Sequence, residues 1–306
     1  MGLFRRTLVA VTGVALSLPV MVMPAMAAPA ASADGACPAG KVAATPYAAG
    51  RGAPGKNYEP VLDQRPTPLP ARAQGRAPSD FTATVDVYFH VITAGQTGNL
   101  TSRQINDQIR VLNQTYGGAE GGAQTGFTFR LADVTRTDNA HWYAAKSGAE
   151  TQFKKALKRG NDGDMNVYST SGDIYLGWAY YPPITESKNQ SYLDGIVIDW
   201  RTVPGASDAY EGAYDLGETL THEAGHWLNL AHTFEGGCSE PGDFVADTPP
   251  MSEPTGGCPI GKDTCPQPGL DPIHNYMDYS FDTCYTEFTD GQTQRMRDAW
   301  LFYRAD

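Results

Sequence analysis

From residue 81 to residue 91 apolar and polar positions alternate. Val85, Val87, Phe89 and Val91 fall on one side, which is the period of a strand packed on one face. Thr101 and Gln104 then stand three apart, ahead of Ile105, Ile109 and Leu112. That spacing predicts a capping box opening an amphipathic helix to about Thr115. Alternation returns over residues 127–134, residues 150–159 have helical periodicity, and short apolar runs at 165–168 and 195–200 predict two further strands. Thr289 and Gln292 form a second capping box for a last helix reaching Arg304. Strands interleaved with helices predict an α/β (α+β) fold. The expected sheet is mixed, twisted and mostly parallel, with one antiparallel edge, and is packed on helices.

The start of the chain follows a different pattern. Arg5 and Arg6 precede an apolar run over residues 8–23 and then Ala25-Met26-Ala27, so residues 1–27 have the layout of a secretory signal peptide. No later run reaches the eighteen or so apolar residues of a spanning helix, so no membrane association is expected once the signal is removed. Residues 28–76 are rich in Ala, Pro and Gly and lack apolar periodicity, as expected of a segment without a core of its own. The first 76 residues hold eight basic and three acidic groups, whereas the whole chain has a net charge of −11. A basic leader on an acidic body reads as a pro-segment held partly by charge. Residues 77–306 are expected to fold as one domain, with an N-terminal lobe to about 232 and an irregular C-terminal lobe from 233. An acidic body without a basic stripe argues against nucleic-acid binding, and a monomer is expected.

Three of the six histidines fall within Thr221-His222-Glu223-Ala224-Gly225-His226-Trp227-Leu228-Asn229-Leu230-Ala231-His232. On a helix a four-residue step turns about 40° past a full circle, so His222 and His226 share a face and can grip one ion. Glu223 lies off that axis, where it can take a proton from water without binding metal. A continuous helix would carry His232 away from the pair. The helix therefore has to stop first, and Asn229 tolerates the left-handed backbone that stops it. Three imidazoles leave the fourth tetrahedral position open, as in a catalytic zinc site.

This motif resembles that of the metzincin zinc metalloproteases, with Asn229 in place of the usual Gly, and Asn275-Tyr276-Met277-Asp278-Tyr279-Ser280 resembles their methionine turn. The intervening Cys238, Asp243 to Pro249, Cys258, Cys265 and Cys284 resemble the pappalysin branch. The resemblance is dense over residues 216–297 and slight before 77. It implies zinc on His222, His226 and His232, Glu223 as general base, Met277 beneath the ion and Tyr279 stabilising the oxyanion. It implies Asp282 as the floor of the pocket that takes an Arg or Lys after the scissile bond. Leu176-Gly177-Trp178-Ala179 resembles the rim strand on which a peptide substrate pairs. Four body cysteines permit three pairings, and the resemblance favours Cys238 with Cys265 and Cys258 with Cys284. It also implies calcium near Asp243 and Asp247, where oxygen ligands cluster. Cys37, the odd cysteine of five, lies alone in the leader, where its thiolate can hold the fourth zinc position of a latent precursor.

The expected function is therefore that of a secreted zinc metalloendopeptidase, made as a zymogen and acting on proteins or peptides. Two other readings remain open at this point. One is a thermolysin-like enzyme whose third ligand is a downstream Glu. The other is a secreted peptide-binding or inhibitory module with an inactive zinc site.

Overall fold

The computed structural model describes residues 66, 68–146 and 148–305; the predicted signal peptide and Cys37 lie outside them. Five strands form one sheet in the order β2-β1-β3-β5-β4. β1 (Ala83–Thr93), β2 (Phe127–Asp138), β3 (Met165–Thr170) and β5 (Ile196–Asp199) run parallel. The three-residue β4 (Gly177–Ala179) pairs antiparallel with β5 and ends the order. The sheet is thus mostly parallel with one antiparallel edge.

β1 alternates in burial only in its first half, although the alternation of its sequence runs on to Val91, because only that half is covered on one face. From Phe89 to Thr93 every residue is buried, as befits an inner strand of a parallel sheet. His90 is therefore an interior residue, with Nδ1 2.7 Å from the Thr135 hydroxyl and Nε2 3.0 Å from the Asn166 amide oxygen. β2 runs four residues beyond its predicted end, because as the outer strand it keeps pairing with β1 where its own side chains are only half covered.

α1 (Ser102–Tyr116) begins at the Thr101–Gln104 capping box and buries Ile105, Leu112 and Tyr116 against the sheet. α2 (Ala140–Tyr143) is a single turn capped by Asn139, too short to leave a periodic signal. α3 (Ala149–Leu157) carries Lys154 into the interior, where it pairs with Glu150 at 2.9 Å and donates to the carbonyls of Leu193 and Gly195. α4 (Glu218–Trp227) is buried along its whole length. α5 (Asp290–Tyr303) starts at the Thr289–Gln292 capping box and ends where Arg304 pairs with the buried Asp194 at 3.0 Å and donates to the carbonyl of Trp227. The last turn of the chain is thereby tied to the end of α4.

Between α4 and α5 the only regular piece is a 3₁₀ turn, Asp282–Cys284. Two disulfides, Cys238–Cys265 and Cys258–Cys284, fix this stretch, in the pairing that the resemblance implied. The end of the expected leader is also packed. Leu69 and Ala73 are buried against Ala299, and the backbone N–H groups of Gly75, Arg76 and Ala77 all donate to the Asp298 carboxylate, at 2.6, 2.8 and 2.8 Å. Residues 68–77 gain this order from α5, and their own composition gives no sign of it. Among the described residues no helix is long and apolar enough to cross a membrane.

Candidate active site

α4 sets the positions of the first two histidines. Its N-cap is Gly217 in a left-handed conformation, and its C-terminus closes as a Schellman motif. Asn229 at φ 77° donates its N–H to the carbonyl of His226, and the N–H of Leu230 returns to the carbonyl of Gly225. The chain reverses there and brings His232 back. Nε2 of His226 then lies 3.1 Å from Nε2 of His222 and 3.1 Å from Nε2 of His232.

Nδ1 of His222 meets the carbonyl of Tyr276 at 2.6 Å, and Nδ1 of His226 meets that of Leu230 at 2.7 Å. A carbonyl can only accept, so both Nδ1 atoms carry the proton and both Nε2 atoms present lone pairs. Tetrahedral zinc with Zn–N of about 2.0–2.1 Å separates its ligand atoms by about 3.3–3.4 Å, and the imidazole spacings here need widen by only a few tenths of an ångström. The donor set fits a zinc ion.

The turn Asn275-Tyr276-Met277 lies directly beneath α4. Asn275 exchanges hydrogen bonds with Gln292 of the α5 cap at 2.7 and 2.9 Å, and Met277 is fully buried. Gly225 allows the approach, since a methyl group at that position would overlap the Met277 sulfur. Tyr279, two residues on, places its hydroxyl 3.1 Å from Nε2 of His232. Glu223 is buried and lines the same pocket as His222 and Tyr279. Gly177 of β4 lies against it so closely that an added Cβ would come within 3.0 Å of the Glu223 side chain. Trp178 points the other way, its indole N–H donating to Glu150 at 2.8 Å.

The pocket beside these groups is lined by Leu176, Tyr214 and Tyr285 and by the carboxyl-bearing Asp282 and Glu218. Asp282 accepts the Leu216 N–H at 2.8 Å. Burial holds the carboxyls of Glu218 and Asp282 above the usual carboxylate range; the neighbouring Asp282 pushes Glu218 up further, whereas the hydrogen bond with Glu218 draws Asp282 back down. Glu218 did not stand out in the sequence, although it sits four residues before His222 and so on the same helical face.

Asp243 and Asp247 do not meet in one cluster with the histidines. Asp243 is buried, with its carboxylate on the Val245 N–H and the Thr248 hydroxyl, while Asp247 takes the Thr289 hydroxyl and the Gly291 N–H at the start of α5. Burial raises the Asp243 carboxyl to about 6.

A buried HExxH helix closed by a left-handed turn, a third imidazole brought back by that turn and a methionine beneath them define a metzincin-type metallopeptidase. Within that class the chain belongs to the peptidase M43 family, described as pregnancy-associated plasma protein-A, whose pattern matches residues 177–300. An extracellular metalloprotease of Neurospora crassa is 44% identical over 269 residues, covering 85% of this chain and 90% of that protein. Extracellular metalloprotease 1 of Coccidioides posadasii is 41% identical over 271 residues, covering 86% of this chain and 94% of its own length. Among solved structures, a mutant of Tannerella forsythia promirolysin aligns with a TM-score of 0.65 at 29% identity, over 75% of this chain and 83% of that one. Mature mirolysin in complex with a cleaved peptide aligns with a TM-score of 0.61 at 31% identity, over 72% and 92%. The chain is a secreted metallopeptidase with a catalytic metal.

Proposed function

We propose that the chain is a zinc endopeptidase that cuts proteins on the amino side of Arg or Lys and is made as a zymogen. The convergence of three histidine Nε2 atoms next to Glu223 is the observation that carries this reading. When bound at His222, His226 and His232, zinc supplies Lewis acidity for the scissile carbonyl and makes water a stronger nucleophile at neutral pH. Glu223 takes the proton of the attacking water and passes it to the leaving amine. The Tyr279 phenol donates a hydrogen bond to the oxygen on which charge develops. β4 ends the sheet order, so its free edge offers backbone groups to an extended peptide, and Gly177 keeps that edge close to Glu223. Asp282 draws a basic side chain into the pocket by a charge-assisted hydrogen bond.

Latency is assigned to residues 28–76, with Cys37 as the thiolate that holds the fourth zinc position and Gly75–Arg76 as one bond removed on activation. The relatives solved as promirolysin and as mature mirolysin support a precursor form. A structural calcium ion in the Asp243–Asp247 loop completes the proposal. Its test is the melting temperature at fixed zinc, which has to rise when calcium is added.

The decisive experiment is mass spectrometry of a peptide mixture incubated with the processed enzyme and with Glu223→Ala. The variant is expected to keep its zinc and lose activity by a factor on the order of 10²–10⁴. Normal turnover by Glu223→Ala refutes the mechanism, and cuts without a bias toward Arg or Lys remove Asp282 as selector. Replacing Cys37 by Ser should raise the activity of the unprocessed precursor. If it does not, the thiolate switch is discarded.

A further inference from the structure

The pocket floor holds two acidic side chains where the proposed specificity requires one. Glu218, from the first turn of α4, is 5% exposed, and Asp282, from the 3₁₀ turn, is 3% exposed. The two carboxyls meet each other in a side-chain hydrogen bond, which takes a shared proton; Oε2 of Glu218 and Oδ1 of Asp282 find no other partner, and both residues line the same pocket. No Lys or Arg lines that pocket among the described residues, and the further charged neighbours of the pair, Glu120 and Asp215, are themselves acidic. Two buried carboxyl groups without a counter-ion are costly unless they share a proton or receive a cation from outside. The rest of the lining is Leu176, Thr219, the site residues His222 and Glu223, and the rings of Tyr214, Tyr279 and Tyr285.

We propose that Glu218 is a second specificity-determining residue, which together with Asp282 forms a two-carboxyl floor that selects the guanidinium of arginine over the ammonium of lysine. This rests on the assignment of the pocket to the residue after the scissile bond. A guanidinium presents five N–H donors in a planar fork, enough to reach carboxyls coming from two separate elements. It sheds its hydration more readily than an ammonium and stacks on aromatic faces, which tyrosine walls reward. An ammonium is a compact, strongly hydrated charge, and one carboxylate satisfies most of its need. Asp282 alone therefore explains a preference for basic residues, and Glu218 adds discrimination between the two.

The test uses three peptides, identical except for Arg, Lys or Leu after the scissile bond, with the processed zinc enzyme and its Glu218→Gln and Asp282→Asn variants. Wild type should favour Arg over Lys and both over Leu. Glu218→Gln should cut kcat/KM for the Arg peptide by roughly tenfold, change the Lys peptide much less and leave the Leu peptide unaffected. Asp282→Asn should depress both basic peptides. If Glu218→Gln leaves the Arg to Lys ratio unchanged, or wild type cuts the Lys peptide as well as the Arg one, the role of Glu218 is refuted while that of Asp282 stands. If Asp282→Asn leaves the basic preference intact, the pocket assignment itself fails. Should Glu218→Gln not fold, Glu218→Asp retains the carboxyl group but draws it back. Calorimetric binding of argininamide and lysinamide to wild type and Glu218→Asp must then show a reduced preference for argininamide in the variant, and equal preference overturns the proposal.

Discussion

His90 is buried between Thr135 and Asn166, and desolvation holds its imidazole down to about 4. In the unfolded chain the same group titrates near 6.5, so below that pH the unfolded state takes up a proton that the folded state refuses. Stability from this residue is complete above about pH 6.5 and is lost as pH falls toward 4, by about 3 kcal/mol over the window. Thermal melts of wild type and His90→Gln should therefore converge on acidification. Protonation of the zinc histidines affects both proteins alike, and a gap between them that is constant from pH 4 to 6.5 would disprove the account. Neither His90 nor Glu218 was legible in the sequence as a constrained residue. A lone histidine in a strand and a glutamate in the first turn of a helix are both ordinary on a surface, and only the layers packed over them make them buried.

At the scale of elements, periodicity exposes β1, α1 and β2 because one-sided burial leaves a regular pattern, and α5 is legible from its capping box. Periodicity says little of β4, three residues long, which was recognisable only through resemblance to a family rim strand. The active-site helix is legible from its ligand spacing, and Asn229 marks its end because it tolerates the left-handed turn found there. Gly225 offers a test of how α4 meets the methionine turn. In an exposed helix interior Gly→Ala gains up to about 1 kcal/mol from propensity. Here the added methyl overlaps the Met277 sulfur, so Gly225→Ala should instead lose about 1–3 kcal/mol and hold zinc less tightly. A denaturant midpoint at or above wild type, with full zinc content, would show that the contact is looser than described. Thr289→Ala removes both the α5 cap and the hydroxyl that Asp247 accepts, and should cost about 1 kcal/mol in the same assay.

On the scale of the whole molecule, the stretch between α4 and α5 is held by cross-links as well as by packing. The Cys258–Cys284 bond spans 26 residues and ends two positions from Asp282. Replacing both cysteines by Ser should lower stability by about 3–4 kcal/mol on the chain-entropy account. It should also weaken selection for basic residues more than cleavage before Leu, and an equal loss on all peptides would place the effect elsewhere. The sequence also gave no hint that residues 68–77 pack on α5, since Leu69 and Ala73 lack any period and Asp298 reads as a solvated helix residue.

The grip of Asp298 on Gly75, Arg76 and Ala77 spans the bond proposed for activation. A cut between Gly75 and Arg76 turns one of those amides into an ammonium at the same place, and a carboxylate 3% exposed holds a charged donor more strongly than a neutral one. Asp298→Asn should accordingly lower the melting temperature of the processed enzyme more than that of the precursor. On the proposed cut, the released strand takes the Gly75 contact with it and the new ammonium stays in the grip of Asp298, so maturation would work as a ratchet in which the severed end holds the place that the intact strand occupied.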